Sequence, residues 1–289
     1  MVTALCEPTA GRRRSVVDEL RDQLPPGRRQ VLFVVLSGRD AEVVSDAINN
    51  KTQYQARYVV PDAADPRKEG ILRRQVGEFG TGADHILVAA EMAIQRGYNI
   101  LNSSSTAALG AVIYLSRSHP PPADLRFPLS LVSELAMRHL LSPPQAVPGH
   151  IAEAVSYLRD EARQLWFGVI GRPVRFRTLD HERYRTAFVA NNLVPMSQTI
   201  GRSIRGNQHT TVLLCDAAFA ERLASGDEAT DTARTSLVVA TDDLLARLLA
   251  PTTQDASADQ RLVHAINTAT WGLIGHLVSR NDPLGSLRR

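Results

Sequence analysis

The stretch Val31-Leu-Phe-Val-Val-Leu36 is a continuous apolar run, and Ser37-Gly-Arg-Asp40 follows it directly. A short, uninterrupted apolar run bounded by polar residues is typical of a strand that is buried on both faces of a sheet. Residues 40–50 then carry the features of a helix, and we predict Asp40 as its N-cap. The central part of the chain therefore starts as a strand followed by a helix.

The same alternation continues toward the C-terminus. Further strands are predicted at residues 56–60, 86–90, 111–115 and 211–215, with a helix at 67–79. Residues 125–191 are predicted to be mostly helical, and a helical tail is predicted after the last strand. Strands that alternate with helices predict a parallel sheet with helices on both faces, so the expected fold class is α/β.

The composition sets broad limits on function. An apolar share of 44% and a charged share of 22% are ordinary for a globular protein, and a net charge of +3 does not by itself indicate nucleic acid. Cys6 and Cys215 lack C-x-x-C spacing, and the eight histidines lack metal-binding spacing, so we expect no metal site. No apolar run approaches the length that spans a membrane. We therefore expect a cytoplasmic protein without a membrane partner.

A second informative stretch is Gln198-Thr-Ile-Gly-Arg-Ser-Ile-Arg-Gly206. Arg202 and Arg205 are three residues apart, which predicts that they share one face of a helix. Gly201, directly before the first arginine, leaves room for a close backbone neighbour. Two permanently charged guanidinium groups on one helical turn suit a polyphosphate better than a protein core. The alternative is a helix with two surface arginines that have no special role.

A third stretch reads Ile86-Leu-Val-Ala-Ala-Glu-Met-Ala-Ile-Gln-Arg-Gly-Tyr-Asn-Ile100. Its first five residues form a predicted buried strand, and the following residues turn the chain toward Arg96 and Gly97. An ordinary strand followed by a turn is the alternative interpretation.

These two stretches resemble motifs VI and V of superfamily 2 helicases, which are nucleic-acid-dependent ATPases built from two RecA-like lobes. Residues 31–42 resemble motif IV, which opens the second lobe, and residues 71–80 resemble the helix and turn that precede motif V. The four blocks occur in the family's order, so the chain resembles the second, C-terminal lobe. Tyr114-Leu-Ser-Arg-Ser-His-Pro120 is also similar to helicase-type proteins of bacterial defence islands.

The resemblance implies that ATP binds in a cleft between two lobes, with magnesium held mainly by the first lobe. Arg205 would be the arginine finger that stabilises charge developing in the transition state, and Arg202 would be a second phosphate contact. Gln198 and Gly201 would lie near the nucleotide or organise the two arginines.

For the motif V-like stretch, the resemblance implies that Arg96 touches nucleic acid and, with Gly97, couples it to the nucleotide cleft. Gly97 and Asn99 would lie on the nucleotide side of this stretch. Asn99 and Glu91 both stand where the family commonly has aspartate. Asparagine can still hydrogen-bond a ribose hydroxyl, but it cannot pair ionically with an arginine.

Ser37, Gly38 and Arg39 lie just past the end of the first predicted strand. The carboxyl edge of an open α/β sheet is where ligands bind. The resemblance to motif IV implies that these residues bind nucleic acid, with Arg39 at a phosphate. A plain strand-to-helix loop is the alternative.

The sequence contains no phosphate-binding G-x-x-x-x-G-K-[ST] motif. The chain therefore resembles one lobe of a two-lobe ATPase, and alone it is not expected to hydrolyse ATP. The resemblance implies a partner polypeptide with the first lobe and a nucleic-acid partner, either DNA or RNA. One alternative is a non-catalytic, helicase-derived module that binds nucleic acid or serves as a scaffold. Another is that the chain is a fragment of a longer helicase.

The resemblance also divides the chain into segments. Residues 1–29 are interpreted as a lead-in. Residues 30–124 and 192–220 are interpreted as the RecA-like lobe, and residues 125–191 as a helical insertion between motifs V and VI. Residues 221–289 are predicted to form the helical C-terminal tail.

Overall fold

The structure is a computed structural model that describes most of the chain. The described residues are 1–8, 11, 13–64, 69–95, 98–117, 125–141, 151–170, 176–179, 182–206, 208–226, 231–251, 253 and 256–271. All structural statements below refer to these residues.

The centre of the molecule is one six-stranded sheet in which every pairing is parallel. The strands are β1 (Gln30–Val35), β2 (Ala56–Val60), β3 (Gly70–Leu72), β4 (Ile86–Ala90), β5 (Leu109–Tyr114) and β6 (Thr211–Leu214). Their order across the sheet is β3-β2-β4-β1-β5-β6. The predicted α/β class with a parallel sheet is thereby confirmed.

The apolar runs of the sequence form the middle of the sheet. Residues 31–35 of β1 pair in register with residues 86–90 of β4, and β5 lies on the other side of β1. Every residue of β4 and of β5 is buried. Burial on both faces explains why these strands are continuously apolar rather than alternating.

Helices cover both faces of the sheet. In the described part of the chain they are α1 (Val2–Cys6), α2 (Val16–Gln23), α3 (Gly38–Lys51), α4 (Glu91–Ile94), α5 (Arg126–Leu141), α6 (Ile151–Ile170), α7 (Glu182–Ile200), α8 (Glu221–Ser225), α9 (Leu237–Leu248) and α10 (Ala258–Trp271). Helices α5, α6 and α7 lie between β5 and β6 in the chain. None of these helices is long and apolar enough to cross a membrane.

Helices α1, α2 and α3 pack on one face of the sheet. Phe33 and Ile113 point to this face, where they form a core with Val17 and Leu20 of α2 and Ile48 of α3. The N-terminal residues are therefore part of the hydrophobic core. The division of the chain into a lead-in, lobe, insertion and tail stays a prediction.

The other face of the sheet is covered by helices from the second half of the chain. Leu32 and Val112 point to this face and share a core with Leu131 of α5, Leu193 of α7 and Leu244 of α9. Successive residues of a strand point to opposite faces, so neighbouring residues of β1 fill two different cores.

The predicted helix at 67–79 is only partly correct in its described part. Gly70–Leu72 form β3, which pairs with β2, and Arg73–Thr81 form a 3₁₀ helix. Gly77 and Gly80 disfavour a regular α-helix in this segment. Gly80 also packs so closely on Leu101 that an added Cβ would lie 2.2 Å from the Leu101 carbonyl oxygen. Strand pairing and close packing therefore decide the conformation.

The N-cap of α3 is Ser37 and not Asp40, which corrects the prediction. The Ser37 hydroxyl accepts a hydrogen bond from the Asp40 backbone N–H at 3.1 Å, and the Ser37 N–H donates to Asp40 Oδ2 at 3.0 Å. This reciprocal arrangement is a capping box, in which the acidic residue stands three positions after the cap. The helix therefore begins two residues earlier than predicted, at Gly38.

We expect Ser37→Ala to lower the free energy of unfolding by about 1 kcal/mol, because the variant loses the hydroxyl that satisfies the Asp40 N–H. Urea denaturation followed by circular dichroism measures this change. Ser104→Ala is the control, because Ser104 is exposed and its backbone N–H, rather than its hydroxyl, donates to Asn102 Oδ1. Equal midpoints for the two variants would contradict the prediction.

Candidate functional site

Arg202 joins two segments that are far apart in the chain. Its Nη1 atom donates a hydrogen bond to the carbonyl oxygen of Tyr98 at 3.1 Å, and its Nη2 atom donates to that of Gln95 at 2.7 Å. These partners precede Arg202 by 104 and 107 residues. The structure therefore brings the stretch 86–100 against the stretch 198–206.

The stretch 198–206 begins as a helix and continues as a turn. Helix α7 ends at Ile200, and Ser203 then donates to the Ile200 carbonyl oxygen from its backbone N at 2.8 Å and from its Oγ at 2.7 Å. Gly206 has a φ of +78°, a backbone conformation that favours glycine. The prediction that Arg202 and Arg205 share one face of a helix is therefore wrong, because the chain leaves α7 before either arginine.

The guanidinium of Arg202 is turned toward the protein. Its Nε atom is buried and makes no hydrogen bond to any described residue. Burial lowers the pKa of Arg202, and the positive charge of Arg205 lowers it further. An arginine nevertheless stays protonated in a protein, so this side chain is a cation held by two carbonyl oxygens. Its role as a second phosphate contact stays a prediction.

Arg205 differs from Arg202 because its side chain is exposed. Its backbone is anchored, since its carbonyl oxygen accepts a hydrogen bond from the Ala107 N–H at 3.3 Å. The ion pairs among described residues include neither Arg202 nor Arg205. Gln198 is exposed on the last turn of α7, and Gly201 is half-buried directly after that helix. The turn thus presents one exposed cation on an anchored backbone.

The sequence-predicted residues of the stretch 86–100 are only partly described. Arg96 and Gly97 lie outside the described residues, so their contacts with nucleic acid and nucleotide stay predictions. Asn99 is exposed. Its backbone packs against the 3₁₀ helix, because a Cβ added to Gly77 would lie 3.2 Å from the Asn99 carbonyl oxygen. The Asn99 side chain is thus placed at the surface, close to the segment that Arg202 contacts.

Glu91 belongs to a buried polar cluster between β4, β5 and α7. It is the first residue of α4 and is 5% exposed. Its carboxylate lies close to the hydroxyl of Tyr114, which donates a hydrogen bond to the Met196 carbonyl oxygen of α7 at 3.4 Å. Burial, and then the negative charge of Glu91, raise the pKa of Tyr114 well above its ordinary value. The end of β4, the end of β5 and helix α7 therefore meet at this buried position.

Ser37, Gly38 and Arg39 lie at the carboxyl end of β1. The Ser37 hydroxyl is engaged by Asp40, to whose Oδ2 it donates at 2.7 Å. Gly38 is exposed, and no atom lies within 4 Å of an added Cβ. Arg39 is also exposed, on the first turn of α3. The backbone of Gly38 and the guanidinium of Arg39 are therefore both accessible to an approaching ligand.

Two exposed apolar side chains lie at the same edge of the sheet. Leu36 follows β1 and is 51% exposed, while Met92 follows the neighbouring strand β4 and is 53% exposed. Because the carboxyl ends of parallel strands meet at one edge, Leu36, Met92 and Arg39 share that edge. The edge therefore combines accessible apolar surface with a cation.

The structure does not bring Ser37–Arg39 together with Arg205. The Arg205 carbonyl oxygen is bonded to Ala107, two residues before β5 begins. The Ser203 carbonyl oxygen is bonded to Arg28, two residues before β1 begins. The turn 201–206 therefore lies against the amino ends of β1 and β5, whereas Ser37, Gly38 and Arg39 lie past the carboxyl end of β1.

Arg28 is a prominent residue of this region that the sequence did not reveal. It is 4% exposed, and its guanidinium donates to the carbonyl oxygens of Ala107, Leu109, Ser203 and His209. In the sequence it is one member of an Arg-Arg pair after a Pro-Pro-Gly break, and its neighbour Arg29 is exposed. No local signal distinguishes the two arginines.

No protein-family model matches the chain, and no curated protein sequence matches it. The structure itself shows an α/β domain with a six-stranded parallel sheet. Among the described residues, no group of three or more histidine, cysteine, aspartate or glutamate side chains is placed to hold a metal ion.

Proposed function

We propose that this chain is the second lobe of a nucleic-acid-dependent ATPase of the superfamily 2 helicase type. ATP and its magnesium ion bind mainly on a first RecA-like lobe in a separate polypeptide, and this chain closes over the phosphates. The observation that supports the proposal is the contact of Arg202 with Gln95 and Tyr98. This contact joins the two stretches that resemble motifs V and VI, both of which belong to the second lobe of such enzymes.

The charges around the turn 201–206 favour an anion. Arg202 and Arg205 are close enough that the charge of one lowers the pKa of the other. Neither is in an ion pair with a described carboxylate. Like charges repel, and a polyphosphate placed between the lobes would relieve that repulsion while gaining charge-assisted hydrogen bonds.

Arg205 is the residue of this turn that we assign to the phosphates. Its side chain is exposed, and the hydrogen bond from Ala107 anchors its backbone. An anchored backbone limits where this cation can lie, which reduces the reorganisation needed when charge develops in the transition state. Arg202 contributes mainly by holding the turn against Gln95 and Tyr98, and its charge adds to the positive potential next to Arg205.

We place the nucleic acid at the carboxyl edge of the sheet. Gly38 and Arg39 are exposed there, and the half-exposed Leu36 and Met92 offer apolar surface beside them. Arg39 would contact a phosphate, and the Met92 side chain would lie against sugar or base. Because this edge and the Arg205 turn lie at opposite ends of the strands, the two ligands do not compete for the same surface.

The test of the proposal is reconstitution with a partner. A pull-down from the native host with the tagged chain should recover a polypeptide that carries a phosphate-binding G-x-x-x-x-G-K-[ST] loop. Mixed with that partner and with single-stranded DNA or RNA, the chain should produce ATP hydrolysis that requires all three components. Hydrolysis at the same rate by the partner without this chain would exclude a role for the chain in ATP turnover.

A second candidate function is a non-catalytic module that binds nucleic acid or serves as a scaffold. It is favoured by the engagement of both terminal nitrogens of Arg202 with carbonyl oxygens and by the internal contact of Glu91 with Tyr114. The same reconstitution separates the two functions. Nucleic-acid binding that weakens with salt, without any gain in ATP hydrolysis, would support the module.

A further inference from the structure

We propose that Arg28 is the positioning residue for the turn that carries Arg205, and that it holds this turn through hydrogen bonds to the carbonyl oxygens of Ser203 and His209. The positional part of this inference stands on the contacts of Arg28 alone. Its catalytic part rests on the proposed function, because it assigns Arg205 to the phosphates.

The guanidinium of Arg28 uses nearly all of its donors. Nε donates to Ala107 at 3.0 Å, Nη1 to His209 at 2.7 Å, and Nη2 to both Leu109 at 3.1 Å and Ser203 at 2.5 Å. All four acceptors are backbone carbonyl oxygens. An arginine carries five N–H donors in a rigid planar fork, so four of the five are committed.

The four acceptors belong to two segments that must be held together. Ala107 lies two residues before β5 and Leu109 is its first residue, whereas Ser203 and His209 lie on either side of Arg205. Arg205 itself accepts from the Ala107 N–H. Arg28 therefore holds the chain on both sides of Arg205 against the segment that leads into β5.

Neighbouring contacts fix the position of Arg28 in turn. Asn102 Nδ2 donates to the Gly27 carbonyl oxygen at 2.9 Å and to Thr106 Oγ1 at 2.9 Å. Thr106 also packs on the turn, because a Cβ added to Gly206 would lie 3.2 Å from Thr106 Cγ2. The segment before β1, the loop before β5 and the turn 201–206 are thus tied into one unit.

A buried arginine without a carboxylate is stable only when its donors are satisfied. Burial lowers the pKa of Arg28, which reflects the cost of removing its charge from water. The ion pairs of the described residues do not include Arg28, so the four carbonyl dipoles compensate the charge. A lysine keeps the charge but has one nitrogen with three donors, so it cannot reach acceptors spread around a planar fork.

Amide hydrogen exchange of Arg28→Lys tests the positioning role without reference to activity. The amides of Ala107 and Gln208 donate hydrogen bonds to the carbonyl oxygens of Arg205 and Ile204. We expect these two amides to exchange about tenfold faster in the variant, at rates that change little when a low concentration of urea is added. The amides of Phe33 and Val88 in the central strands should change less than about twofold. Arg29→Lys is the matched control, because Arg29 is exposed and donates only a long 3.4 Å hydrogen bond to Leu24 among the described residues.

Each outcome of this experiment decides the positional claim. Unchanged exchange at Ala107 and Gln208 would overturn it. A uniform rise at all amides, or a variant that does not fold, would also overturn it, because Arg28 would then be a general core residue. A local rise restricted to these segments supports it.

The catalytic part is tested with the reconstituted complex. Arg28→Lys is expected to lower kcat about 10- to 100-fold with the KM for ATP within about threefold, because the finger is misplaced rather than lost. A local rise in exchange together with an unchanged kcat would overturn the catalytic part. If no partner restores hydrolysis even to the wild-type chain, the proposed function fails while the exchange result still decides the positional role.

Discussion

Arg205→Ala is expected to lower the ATP hydrolysis rate of the reconstituted complex by about three to five decades. The side chain is exposed, and its own contacts do not hold the fold, since its backbone carbonyl makes the bond to Ala107. The loss therefore comes from the transition state, where the guanidinium meets charge developing on the transferred phosphoryl group. Single-turnover hydrolysis of ATP, at saturating nucleic acid, measures the change.

Two controls accompany this experiment. The thermal midpoint of Arg205→Ala should stay within about 2 °C of wild type, because a single exposed side chain contributes little to stability. Arg39→Ala, at the opposite edge of the sheet, should weaken nucleic-acid binding and reduce its salt dependence while leaving the rate at saturating nucleic acid nearly unchanged. If Arg205→Ala retains more than about a tenth of the wild-type rate, Arg205 is not the finger.

Gly110→Ala is expected to lower the free energy of unfolding by about 3 kcal/mol. An added Cβ would lie 2.2 Å from the carbonyl oxygen of Arg28 and 2.6 Å from Leu24 Cδ1. The leucine side chain can move, but the Arg28 backbone is held by the bonds of its own guanidinium and by the contact of Asn102 with Gly27. The register between β1 and β5 shifts beside this glycine, so the strands are already irregular there.

The matched control for this variant is Gly38→Ala. Gly38 is exposed, and no atom lies within 4 Å of an added Cβ. We expect its urea midpoint to stay close to that of wild type, because alanine is well tolerated at the start of a helix. A loss of less than about 1 kcal/mol for Gly110→Ala would mean that the Arg28 backbone moves to accommodate the added methyl group. That result would contradict a rigid unit around Arg28.

The middle of the sheet was predictable because its signal is local. The strands predicted at 56–60 and 86–90 coincide with β2 and β4. In a globular chain, short continuous apolar runs between polar residues mostly form strands that are buried on both faces, so these runs identify such strands. β3 was missed because three residues give no pattern, and its pairing with β2 is decided by tertiary contacts.

The candidate site was less predictable. The spacing of Arg202 and Arg205 suggested a helix, but spacing does not specify where a helix stops. Ser203 supplies an alternative partner for the Ile200 carbonyl oxygen, and Gly206 adopts a positive φ, so the chain leaves helical geometry after Ile200. The inward orientation of Arg202 depends on carbonyl oxygens about a hundred residues away, which no local pattern encodes.

The connection from β5 to β6 occupies residues 115–210, yet the two strands pair without irregularity from Ala111 with Thr211 to Tyr114 with Leu214. Loop-closure entropy rises with the logarithm of length, at about 0.6 kcal/mol per doubling. Lengthening a minimal connection of about a dozen residues to this size takes about three doublings, which amounts to about 2 kcal/mol. This connection can therefore accept an added or exchanged helix at small thermodynamic cost, while the alignment of β5 with β6 stays the same.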